Sequence, residues 1–314
     1  MGISFGIHLT SEPGKIYFSR LNQCEKNKDK RRFTEKRFRS SEDLYSICWD
    51  IKEFPPETPV VATLPLNQGT VTNIKLYSGS KIDPLVQAEE ILIKKGFNMD
   101  SFAWDLKYYS DKKNNKCARV IMIAESILEK TIDNFKEYGV IPNAITLAQE
   151  AAYAFAKHKL KGEKIREGVV WNTEIDHKGL IIPIYHNNIM FLNDKSYYCS
   201  DFLDNEIDHV AAFETAAKEF ENIVDPSKVF YLDKSGFDKL LKKVMNDLKS
   251  KQGIVYKNMG IKTDPYSYAS AMLGFELGNF PNFLNYKRDK IEEKKKLNQA
   301  IMLFNLPPIL EEKN

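Results

Sequence analysis

The chain has 314 residues, of which 43% are apolar and 28% charged, enough for a sizeable core and about two domains. Its 46 basic and 43 acidic residues leave a net charge of +3, too even a balance to mark the whole surface for nucleic acid. Cys24, Cys48, Cys117 and Cys199 are too far apart for a zinc site, and neither a signal peptide nor a run of about 18 apolar residues that could span a membrane is read, so a cytoplasmic protein is expected.

In chain order, Gly2 to Leu21 reads as two β-branched and aromatic runs around a Gly/Ser/Pro turn, a hairpin. Glu25 to Arg39 is Lys/Arg-rich with few apolar anchors and predicts a loop or an exposed strand pair, its charge a solvated face. Pro59 to Leu64 and Val71 to Tyr77 predict strands. Pro84 to Lys95 predicts a helix with Leu85, Ala88, Ile91 and Leu92 on one face. Asp83 caps it, Pro84 takes the first helical position and Gly96 ends it. Ser101 to Tyr109 and Cys117 to Ala124 predict two more strands, and Glu125 to Tyr138 a helix with Ile127, Leu128, Ile132 and Phe135 inward. Gly139 to Thr146 reads as an extended link, followed by an alanine-rich helix from Leu147 to His158.

The charged run Lys157 to Glu167 marks a lobe boundary. Beyond it, Gly168 to Asn172, Gly179 to Tyr185 and Ile189 to Leu192 predict three opening strands, with Asn187-Asn188 as a turn. Glu206 to Phe220 and Gly236 to Leu248 predict helices around a short buried strand at Val229 to Leu232. Asp264 to Gly278 is an alanine-bearing helix, and Asp289 to Lys296 opens a charged tail.

In order and spacing, the hairpin at the start, the run Arg119 to Ala156 with its Val-Ile-Met-Ile-Ala strand, helix, Gly139-Val-Ile-Pro142 and alanine-rich helix, and the segment Asp264 to Gly278 resemble the PilM and GspL branch of the actin-like ATPases. The resemblance spans about residues 1 to 290. It implies an α/β, two-lobed actin-like (ribonuclease H-like) fold: residues 1–165 as the first lobe with an inserted α+β module at about 59–124, residues 166–280 as the second lobe, and residues 281–314 as a charged C-terminal tail.

An actin-like cleft needs glycines where backbone N–H groups approach phosphates and carboxylates where Mg²⁺ is held. Against the family's pattern, Ser4 stands at the place of the Mg²⁺-organising Asp, with Gly6 kept and Lys15 near the end of the first phosphate loop. In the second motif, Asn172-Thr-Glu174 replaces Asp-apolar-Gly. In the third, Tyr231-Leu-Asp-Lys-Ser-Gly236 keeps one glycine. Ser4, Gly6, Lys15, Asn172, Glu174 and Gly236 are therefore read as remnants of a nucleotide cleft, with no catalytic or metal-binding residue assigned, no cofactor expected and hydrolysis expected to be absent. Nucleotide bound through Mg²⁺ on Glu174 or Asp176 is the alternative. The other aspartates, Asp105 among them, fall on apparent turns and helix starts and read as caps or solvated groups. His158, His177, His186 and His209 lack Cys or carboxylate companions.

The resemblance implies a cytoplasmic scaffold peripheral to a bacterial inner membrane, in type IV pilus or type II secretion assembly. Its implied partners are a membrane protein of the PilN or GspM kind, the assembly ATPase of the PilB or GspE kind, and a second copy in a homodimer; no nucleic acid and no direct membrane span are expected. It also implies a partner-peptide groove between the N-terminal sheet and the inserted module, and Pro281-Asn-Phe-Leu-Asn-Tyr-Lys287 reads as a tethered occupant of such a groove, its own or a neighbour's. The alternatives are an active actin-like ATPase or kinase and an FtsA-like filament protein, for which Asp289 to Leu303 is too sparsely apolar to make a good membrane anchor.

Overall fold

β1 (Gly2–Leu9) and β2 (Ile16–Gln23) form the expected hairpin, paired from Gly2 with Gln23 to Leu9 with Ile16. The computed structural model describes residues 2–10, 15–23, 33–41, 43–65, 68–110, 115–151, 154, 168–173, 188–192, 197–201, 228–233, 255–258, 264–286 and 288–304. β3 (Phe33–Ser41) adds antiparallel to β2, with a register shift between Arg20 and Leu21. The basic section thus holds a sheet-edge strand, where charge is tolerated and discourages pairing with other chains.

α1 (Leu44–Lys52) was not anticipated from the sequence. Asp43 caps it, its Oδ1 accepting the Ser46 N–H at 2.7 Å, and Leu44, Ile47, Cys48 and Ile51 turn inward. β4 (Val60–Leu64) runs parallel to β1, with Val60 beside Phe5 and Thr63 beside His8. Its five residues are all buried, as befits a strand covered on both faces. β4 therefore belongs to the main sheet, and the inserted module starts after it rather than at Pro59.

That module comprises β5 (Gly69–Lys75), α2 (Pro84–Lys94), β6 (Phe102–Ser110) and β7 (Lys116–Ala124). Its sheet has the order β5-β7-β6, antiparallel throughout. The Asp83 cap and Pro84 start of α2 are as read from the sequence. β7 explains its own unbroken apolar run: Ala118, Val120 and Met122 join the module core, while Ile121 and Ile123 join the main core. α3 (Glu125–Glu137) follows directly, burying Leu128, Thr131 and Phe135.

The expected link before the alanine-rich helix contains a strand, β8 (Ala144–Leu147), parallel to β4. Four fully buried residues, Ile145 and Thr146 among them β-branched, suffice because both faces are packed. Residues 148–151 are helical. The first sheet thus reads β3-β2-β1-β4-β8.

In the second half, β9 (Gly168–Thr173), β10 (Asn188–Leu192) and β11 (Tyr197–Asp201) form an antiparallel set, and β12 (Lys228–Asp233) and β13 (Val255–Asn258) add parallel strands beside β9. Among the described residues the third strand of this set is Tyr197–Asp201, and Asn188 lies in a strand rather than a turn. The expected linker Lys157 to Glu167, the strand Gly179 to Tyr185 and the helices Glu206 to Phe220 and Gly236 to Leu248 lie outside the described residues. The sheet order, β11-β10-β9-β12-β13, repeats that of the first sheet strand for strand.

α4 (Pro265–Leu273) then returns to the first sheet and packs across β1, β2 and β4. It completes the first lobe, not the second. α5 (Arg288–Phe304) lies against α2 in the module, with Ile291 in the module core. Phe280 and Phe283 are buried in the main core, so residues 280–286 are packed structure and not part of a detached tail. Among the described residues, no helix is long and apolar enough to cross a membrane.

Candidate functional site

Strand alternation divides β1 into two unlike faces. Phe5 and Ile7 point to the side of α1, where Phe5 lies 5.6 Å from the Phe18 ring and 5.0 Å from that of Phe54. Ser4, Gly6 and His8 point to the other side, where α4 lies. This small, polar face is where the remnants of a first phosphate loop were expected.

All three residues are in contact with α4 or its cap. A Cβ on Gly6 would run into the Ser267 carbonyl oxygen and the Ala271 amide nitrogen, and one on Gly274 would run into Ser4 Oγ. The two glycines thus permit a close helix-on-strand approach. Polar side chains at the interface are matched in pairs: Ser19 Oγ with Ser267 Oγ at 2.9 Å, and Thr63 Oγ1 with Ser270 Oγ at 2.9 Å. His8 Nδ1 lies 3.2 Å from Asp264 Oδ2, and that same carboxylate caps α4 by accepting the Ser267 N–H at 2.6 Å. Buried polar atoms are tolerated when bonded, and here the bonds join helix to sheet.

A phosphate group needs open backbone N–H donors and room to approach them. Gly6 instead sits mid-strand, flanked by Ser19 and Val61 in the ladder, and α4 fills the volume its missing side chain leaves. Ser4 is fully buried, its hydroxyl aimed at the Pro59 carbonyl. These residues do not fit a triphosphate or its metal, and Gly6 is a packing glycine rather than a phosphate-loop glycine. Lys15 stands at the far end of the strand, at the β1–β2 turn: its carbonyl accepts from Thr10 Oγ1 at 2.8 Å and its Nζ lies 5.7 Å from the Tyr17 ring centre. Asn172 lies in β9, paired in register with Asn188 and Leu232. Glu174 and Gly236 lie outside the described residues.

A second polar cluster lies where the module meets the main sheet, with little sign of it in the local residue pattern. Arg119 on β7 grips Glu150 through two bonds, Nε to Oε1 at 2.8 Å and Nη2 to Oε2 at 2.7 Å, both side chains buried. Close by, Asp105 accepts the Asn282 N–H at 2.6 Å and the Asn285 amide at 3.2 Å. Burial pushes the Asp105 carboxyl above its ordinary range, opposed by the bonds it accepts and reinforced by the nearby charge of Glu150. Far from being a turn or helix-start residue, Asp105 sits within β6 and fastens the chain that follows α4. Alternation along Phe102 to Ser110 places it on one face of a strand, but its partner lies 177 residues away, beyond the reach of local pattern.

No family model and no curated protein matches the chain in sequence. Solved structures do match in shape. The cytoplasmic domain of EpsL, an inner membrane component of the type II secretion system of Vibrio cholerae, superposes with a TM-score of 0.52 at 10% identity, over 91% of this chain and 100% of that one. The PilM-PilN type IV pilus biogenesis complex gives 0.51 at 12% identity, over 88% and 96%. The chain has the two-lobed actin-like fold, consistent with its twice-repeated sheet order. It shares that fold with the EpsL domain and with PilM-PilN.

Proposed function

We propose that the chain is a scaffold of an inner-membrane assembly platform of the type IV pilus or type II secretion kind, and that it docks other proteins without hydrolysing ATP. Its partners are a membrane protein of the PilN or GspM kind, bound through a short peptide, and an assembly ATPase of the PilB or GspE kind. The platform assignment is supported by the fold shared with an EpsL domain and with a PilM-PilN complex. The absence of hydrolysis is supported by one observation above all, the closure of the Ser4-Gly6-His8 face of β1 by α4. Phosphoryl transfer depends on positioned phosphates and cation electrostatics, and Ser4 supplies no carboxylate.

Calorimetric titration of the full chain with Mg-ATP, paired with a phosphate-release assay, tests the reading. We expect no binding heat at micromolar concentrations and no release above buffer. Saturable binding with turnover would overturn it. Co-purification with the cytoplasmic part of a PilN- or GspM-like protein from the same genome tests docking, which failure to associate would remove.

A further inference from the structure

β3 is the outer strand of the first sheet, paired with β2 along its whole length. Among the described residues no strand lies on its other side, so one row of its backbone N–H and C=O groups is open to a further strand. Both ends are fastened. The Phe33 ring stacks on that of Phe275, just beyond α4, at 5.3 Å, and Ser41 Oγ meets Ser46 Oγ of α1 at 2.8 Å. An edge held in this way already has the conformation that a docking strand needs.

The charge along this edge is strongly one-sided. β2 carries Arg20, and β3 carries Lys36, Arg37 and Arg39 against the single carboxylate of Glu35. The nearby end of α1 adds Asp50, Lys52 and Glu53, which leave the cations in excess. Arg37 lies directly opposite Arg20 and Arg39 opposite Phe18, while the shift between Arg20 and Leu21 leaves Lys36 with no opposite number. In a bulge, two residues of one strand oppose a single residue of the other, so Lys36 and Arg37 share Arg20. Like charges directly across a ladder destabilise it. Arg20 also has donor capacity to spare: it is partly buried, its guanidinium carbon lies 5.2 Å from the Phe54 ring centre, and its Nε is buried without a hydrogen bond among the described residues.

We propose that the β3 edge is a docking site for an extended acidic segment of a partner protein, added as a sixth strand to the five-stranded first sheet, with its carboxylates neutralising Arg20, Lys36, Arg37 and Arg39. Backbone bonds supply the affinity and the cations select the sign. A second copy of β3 would bring the same cations against these, which disfavours self-pairing, whereas carboxylates relieve the opposition of Arg20 and Arg37 and form charge-assisted bonds. Charge alone also suits an anionic lipid surface, but lipid cannot complete a ladder, and the open backbone row selects a strand. Docking here rests on the scaffold role proposed above, yet a scaffold whose β3 edge binds nothing remains a scaffold, so the two can fail separately.

A fluorescent peptide of alternating glutamate and threonine, matched to the nine residues of β3, serves as the probe, with binding to the full chain read by anisotropy. It should bind saturably and weaken as salt is raised, and the same sequence with lysine for glutamate should not bind. Only every second N–H of a strand faces the edge. N-methylation of the threonines or of the glutamates should therefore abolish binding in one case and spare it in the other, at unchanged charge. The full-length double variant Lys36→Glu with Arg37→Glu should lose about tenfold or more in affinity for the acidic peptide and acquire binding of the lysine peptide, a reversal that a loosened edge cannot produce. If that variant fails to fold by circular dichroism, the salt series and the two N-methylated peptides, which use the unaltered chain, still decide. No binding by the acidic peptide, or equal binding of both N-methylated forms, would overturn the proposal. Vesicles containing phosphatidylglycerol that bind the chain as tightly as the peptide does would overturn it in favour of a membrane face.

Discussion

A methyl group at position 6 has no room. Gly6→Ala would push against the backbone of α4, which cannot yield without lifting the whole helix. Overpacking of this kind costs about 1–3 kcal/mol, and urea denaturation should register a loss in that range, the same with and without Mg-ATP. Asp105 carries a different signature. Its carboxyl is raised above the usual 3.8 by burial, so between that value and its folded one the native state holds more protons than the unfolded state. Stability should therefore fall as pH rises through this window. In Asp105→Asn that component is absent, and the difference between the two chemical-denaturation profiles, followed upward from pH 4, should show the slope. At this scale the sequence was legible in type but not in role. Ser4 and Gly6 read as remnants of a nucleotide cleft, Gly6 as a glycine that lets phosphate approach; what lies against Gly6 is a helix encoded more than 250 positions later.

Elements with strong local signals formed where the pattern placed them: the hairpin, α2 with its Asp83-Pro84 start, β6, β7 and α3. Those that were missed, or in the case of β3 read as either a loop or an exposed strand pair, have weak local signals and strong tertiary ones. β3 is an edge strand whose charges mask its period, β8 is four residues stabilised by burial on both faces, and α1 is a short helix carrying exposed Tyr45 and Trp49. The junction of module and main sheet depends on the Arg119–Glu150 pair. Glu150→Gln leaves a buried guanidinium without its counter-charge and should cost about 3–5 kcal/mol, whereas Arg119→Met with Glu150→Leu should recover most of that loss. Thermal melts of the two variants against wild type would show the non-additivity.

At the scale of the molecule, the repeated strand order makes each half look self-sufficient, as the expected division at residue 165 also assumed. The first lobe is not, since among the described residues its polar face is covered by α4 and the β6 edge of its module by the segment after α4. A fragment of residues 1–165 should thus bind hydrophobic dyes and lose near-ultraviolet dichroism while keeping strand content, the behaviour of a loosely packed state. A fragment as stable as the full chain would mean that α4 adds little.

The late position of α4 also bears on how the protein is made. As the chain leaves the ribosome, β1, β2 and β4 emerge early, but the helix that seals them is translated only after the entire second sheet, so the N-terminal half cannot finish folding first as sequential domains do. Nascent chains stalled before Asp264 should accordingly be protease-sensitive and held by chaperones, and protection should arrive in one late step once Leu273 has cleared the exit tunnel.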